Sequence, residues 1–74
     1  MNLKDLKYQS ETDDITFHYK DKEYVICLLN DKYYTGEAGN DEDENEFNSF
    51  MDMADNWIIQ GKKLKYIVKY IKLI

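Results

Sequence analysis

Six consecutive polar residues, Asp41-Glu42-Asp43-Glu44-Asn45-Glu46, crowd five carboxylates into one stretch of the chain. Two kinds of chemistry use such a run: coordination of a hard divalent cation, or electrostatic capture of a basic partner. Asp41, Asp43 and Asn45 occupy the first, third and fifth positions of a calcium loop, D-x-[DN]-x-[DN]-G. The glycine needed at the sixth position for the sharp turn is Glu46, and the bidentate glutamate at the twelfth is Asp52. A true calcium site is therefore not expected, and the electrostatic alternative is preferred. His18 is the one histidine and Cys27 the one cysteine. A zinc site wants three or four such ligands, so no metal is expected. No serine lies in a Gly-x-Ser-x-Gly setting, and the three glycines form no phosphate-cradling loop. We expect a non-enzymatic protein with no catalytic residue and no cofactor.

Charge patterning supports partner capture. Residues 1 to 60 hold all 15 acidic side chains and five lysines, whereas residues 61 to 74 hold five lysines and no acid. The expected docking set is Asp41, Glu42, Asp43, Glu44 and Glu46, joined by Asp52 and Asp55 from the following helix. Either Tyr33 or Tyr34, adjacent on a strand and so facing opposite ways, would add an exposed aromatic anchor. The partner expected is a basic, nucleic-acid-binding host protein. Direct nucleic-acid binding is not expected of a chain with net charge −5, because phosphates are held by positive charge.

The elements that would carry these residues form a small α+β domain spanning 1–74. A short helical turn near Leu3 and Leu6 opens the chain, and Ser10 to Asp14 is turn-like. Ile15, Phe17 and Tyr19 alternate with Thr16, His18 and Lys20, as in a half-buried strand. Tyr24 to Leu29 is a second strand, apolar on both faces and therefore expected to be central, one face covered by the main helix and the other by the N-terminal segment, the C-terminal segment or a partner molecule. Asp21-Lys22 and Asn30-Asp31 make the turns, and Lys32 to Thr35 returns as the third strand of an antiparallel sheet. Gly36 to Asn40 is a flexible connection.

Phe47, Phe50, Met51, Ala54, Trp57 and Ile58 fall at helical spacing, predicting one acidic amphipathic helix from Glu44 to Gln60. Asp43 or Asn45 would cap it and Gly61 would stop it. In residues 62–74, Leu64, Ile67, Val68, Ile71 and Ile74 fit a helix with lysines on its other face, while Tyr66, Ile67 and Val68 favour a strand. Matches to the helical period are more numerous.

Seventy-four residues bound one domain with a modest core, and a single cysteine excludes an internal disulfide. Cys27 is expected to act as a buried small hydrophobe. No apolar run is long enough to span a bilayer and no signal pattern opens the chain, so a host cytoplasmic location is expected.

The element order and the acidic stretch Asp41 to Glu46, with Asp52 and Asp55, resemble small acidic phage-encoded inhibitors. Type II-A anti-CRISPR proteins that mimic DNA are one such group. The resemblance implies a phage or mobile-element protein of host takeover, acting by protein–protein interaction to block a nucleic-acid-binding protein. Two rival functions remain. The doubly apolar strand and the C-terminal segment suit a homodimeric accessory protein. The Lys62 to Lys72 face suits a peripheral membrane protein, although a chain so short of core is expected to spend that segment's apolar side internally.

Overall fold

The computed structural model describes all residues from Met1 to Ile74. Helix α1 (Leu3–Thr12) is followed by strands β1 (Ile15–Tyr19), β2 (Lys22–Leu29), β3 (Lys32–Glu37) and β4 (Asn45–Phe47). Helix α2 (Phe50–Asn56), the short strands β5 (Ile58–Ile59) and β6 (Lys62–Lys63), and helix α3 (Leu64–Ile67) come next. A 3-10 turn (Val68–Tyr70) and strand β7 (Lys72–Leu73) close the chain.

The sheet is antiparallel and five-stranded, ordered β4-β3-β2-β1-β7. The three expected strands are its contiguous middle, and β2 is its centre. Two further strands were not expected and extend the sheet at both edges. The turns obey local chemistry. Asn30 and Asp31 both take positive φ, the geometry that matches the twist of paired strands in a two-residue hairpin. The first hairpin turns at Lys20-Asp21, one residue earlier than expected, because Tyr19 pairs with Lys22.

Cross-strand register sorts the side chains. Ile15, Phe17, Tyr24, Ile26, Tyr33 and Thr35 share one face, and the core gathers there with Leu6, Phe50, Met53, Trp57, Leu64 and Ile67. Phe17, Tyr24 and Trp57 meet pairwise at centroid distances of 5.5–6.1 Å, and Tyr33 meets Phe50 edge-on at 5.8 Å. Such pairs add roughly 0.5–1.5 kcal/mol beyond burial. The Ser10 hydroxyl of α1 lies 3.2 Å from the Tyr33 hydroxyl, so α1 packs on that same face.

The expected helix over Glu44–Gln60 shrinks to Phe50–Asn56. Phe47 reaches the core from β4, beside its partner Tyr33, and Trp57 reaches it from extended backbone after α2. Ser49, not Asp43 or Asn45, is the cap: its hydroxyl accepts the Asp52 N–H, while the Asp52 carboxylate accepts the Asn48 N–H at 3.0 Å. Met51 and Ile58 are 55% and 56% exposed, whereas Met53 and Ile59 are buried. Gly61 ends no helix. It turns the β5–β6 hairpin with Gln60, both at positive φ. The Gln60 amide donates to the Tyr19 carbonyl and the Tyr24 hydroxyl, fastening this hairpin to the sheet.

The C-terminal segment divides between both alternatives. Leu64, Ile67 and Val68 turn inward from helical backbone and Ile71 from extended backbone after it, and β7 then pairs with β1. Ile74 is exposed, unlike the helical expectation.

Candidate docking face

Because α1, α2 and α3 all serve one side of the sheet, the other side is left uncovered. Thr16, His18, Val25, Cys27, Leu29 and Tyr34 point there, half-buried or exposed. Neither terminal segment covers this face, which leaves a partner molecule among the three covers expected for β2. Val25 and Cys27 are half-buried, and Leu29 is exposed.

The β3–β4 connection, residues 38–44, borders this face. The Asp43 carboxylate accepts the Glu37 backbone N–H at 2.8 Å and lies 3.4 Å from the Asn45 amide nitrogen. Gly36 faces the Asp43 backbone so closely that any Cβ would overlap the Asp43 carbonyl oxygen. The Asn40 backbone N–H donates to the Glu37 carbonyl and the Asn40 carbonyl accepts the Asp43 N–H, which tightens the turn. The connection is pinned, where the sequence suggested flexibility. Beneath it runs a groove of about 590 Å³, floored by Val25, Cys27, Tyr34 and Gly36 and walled by Asp41, Asp43 and Glu44.

The expected docking residues separate into two groups. Asp41, Glu42 and Glu44 are exposed and form no ion pair. The others have intramolecular partners. Asp43 holds the loop, Asp52 serves the helix start, Glu46 lies 3.6 Å from the Lys32 ammonium, and Asp55 lies 3.2 Å from that of Lys65. A hydrogen bond from the Lys65 ammonium to Asp55 holds that lysine above its ordinary value, with Asp55's charge acting in the same direction. Tyr33 is only 5% exposed and belongs to the core, which corrects its candidacy as an anchor.

Tyr34 lies on the open face, opposite Cys27 on β2 and Glu46 on β4. Hydrogen bonding with Glu46 raises the phenol's pKa, and partial burial and the charges of Glu46 and Glu44 add to the rise. Cys27 is also raised, first by burial and then by a hydrogen bond to Asp14 and that residue's charge. One row across the sheet therefore reads Asp14, Cys27, Tyr34, Glu46, with carboxylates at both ends. Asp14 escaped the sequence expectations, and Cys27, expected to be a buried small hydrophobe, is half-buried on the open face. Strand register alone reveals this row, once β1 is extended one residue backward opposite Cys27.

No cluster of three or more histidine, cysteine or acidic side chains is arranged to hold a metal ion. No helix is long and apolar enough to cross a membrane. No protein-family model, no curated protein and no solved structure matches the chain.

Proposed function

We propose that this is a non-enzymatic binding protein that docks its acidic β3–β4 loop and adjoining open sheet face on a basic partner. The partner surface is one that otherwise holds nucleic acid, and the effect is occlusion. In this role the chain behaves as a DNA-mimicking phage or mobile-element inhibitor does, offering carboxylates where a duplex offers phosphates. The observation that carries the reading is the uncompensated trio Asp41, Glu42 and Glu44 on a pinned loop beside an uncovered sheet face. Charges held in place before encounter steer association and lose little ordering entropy on binding. Tyr34, at the border of groove and acid, is the aromatic anchor.

The test is affinity capture from host extract, followed by a salt titration of the purified pair. Basic nucleic-acid-handling proteins should be captured, and added salt should weaken the complex steeply. The triple substitution Asp41→Asn, Glu42→Gln, Glu44→Gln should abolish capture. Affinity unchanged by salt, or by the triple substitution, defeats the proposal.

The uncovered face also favours a second reading, in which another copy of the chain covers Val25, Cys27 and Leu29 as a homodimer. Sedimentation across a range of concentrations decides it, since a strict monomer excludes this use of the face.

A further inference from the structure

We propose that the opposite edge of the molecule, centred on Tyr66, Lys69, Tyr70 and Lys72, is a docking surface for an anionic lipid bilayer. This goes beyond the acidic-loop function and uses different residues. Once Leu64, Ile67, Val68 and Ile71 turn into the core, the helical segment 64–70 presents Lys65, Tyr66, Lys69 and Tyr70 outward. Tyr66 and Tyr70, one helical turn apart, are 61% and 65% exposed. Lys65 is bound to Asp55, but Lys62, Lys63, Lys69 and Lys72 form no ion pair. Tyr70 also lines a cleft of about 520 Å³ with His18, Lys20, Lys72, Leu73 and Ile74, which continues the patch onto the β1–β7 edge. Lys20 is likewise unpaired, and Glu23, across from His18, is bonded to its imidazole at 3.0 Å.

Charge and side-chain type together select the occupant. A phosphodiester strand offers nothing to the exposed Ile74 or the half-buried Leu73, whereas the boundary between headgroups and acyl chains accepts both. Tyrosine settles at that same level, with its ring in the apolar zone and its hydroxyl in water. The net charge of −5 is no obstacle, because the sheet order puts the acidic loop beyond the far edge strand. Four strand spacings separate β4 from β7, about 19 Å. That exceeds two screening lengths of about 8 Å at physiological salt. A planar anionic surface would therefore attract the basic edge and leave the acidic edge facing outward.

The experiment is flotation of the purified protein with vesicles of phosphatidylcholine alone and of phosphatidylcholine mixed with phosphatidylglycerol, at low and high salt. Flotation is expected only with the mixed vesicles and only at low salt. Lys69→Gln with Lys72→Gln should lower partitioning roughly 25-fold, from about 1 kcal/mol per lysine near an anionic surface. Tyr66→Ser with Tyr70→Ser should lower it several-fold while the circular dichroism spectrum stays unchanged. The triple substitution in the acidic loop should leave flotation intact, which separates this proposal from the preceding one. Absence of flotation, or flotation indifferent to both double substitutions, overturns it. So does tighter binding to a single-stranded oligonucleotide than to the mixed vesicles.

Discussion

The Asp43 carboxylate accepts the Glu37 backbone N–H at 2.8 Å, so an acidic residue from the middle of the charge run is spent holding the run in place. A carboxylate bonded to a backbone N–H on a half-exposed loop contributes about 1–2 kcal/mol. Asp43→Ala should lower unfolding free energy by about that much in urea. Asp43→Asn keeps an acceptor oxygen and should restore most of it. Amide exchange over residues 38–44 should speed up in the alanine variant alone.

Gly36→Ala should loosen the same loop from the other side. Its added methyl meets backbone, not a flexible side chain, so strand or loop must shift. A loss of about 1–3 kcal/mol is expected, the range for overpacking. A thermal melt equal to wild type would show that the loop crosses Gly36 less closely than described.

Cys27 should alkylate slowly. Burial and the Asp14 carboxylate both raise its thiol pKa, which depletes the reactive thiolate near neutral pH. With iodoacetamide at pH 8, Asp14→Asn should react faster than wild type. Equal rates would remove Asp14 from the row across the sheet.

Two buried hydroxyls should respond in opposite directions. The Thr35 hydroxyl is buried without a hydrogen-bond partner, so Thr35→Val should raise stability by about 1 kcal/mol. The Tyr33 hydroxyl lies 3.2 Å from Ser10, and Tyr33→Phe should cost about 1 kcal/mol. Chemical denaturation of both variants measures the contrast.

Alkali should weaken the fold through Tyr34 and Lys65. Both have folded pKa values raised above the ordinary 10.0 and 10.5, because hydrogen bonds to Glu46 and Asp55 favour the protonated forms. A group raised on folding contributes fully below its unfolded value, and its contribution is lost as pH climbs through the folded one. Stability should therefore fall above pH 10. Ultraviolet phenolate titration should show the Tyr34 step moving to lower pH in Glu46→Gln.

The sequence disclosed the central half of this fold and misjudged its margins, for reasons visible in particular residues. Strand β1 alternates over five positions, β2 is a bounded apolar run, and turn residues separate β1, β2 and β3, so pattern and boundary agree there. Strands β4, β5 and β7 have three residues or fewer, too few to display a period. Phe47 and Trp57 sit at helical spacing from Phe50 and Ala54, yet extended backbone delivers both to the core. The capping pattern Ser49-x-x-Asp52 and the turn pair Gln60-Gly61 were the local signals of where α2 begins and where the next hairpin turns. Of the acidic set, Asp41, Glu42 and Glu44 are exposed and form no ion pair. Glu46 and Asp55 found lysines from elsewhere in the chain, a tertiary event that no local pattern encodes.

The outermost strands bear on how much of this protein a cell can hold. With only three residues on one rim and two on the other, neither gives a neighbouring chain enough unpaired backbone to template a growing ribbon. Crowded copies would thus resist joining rim to rim, whatever the open face of the sheet holds.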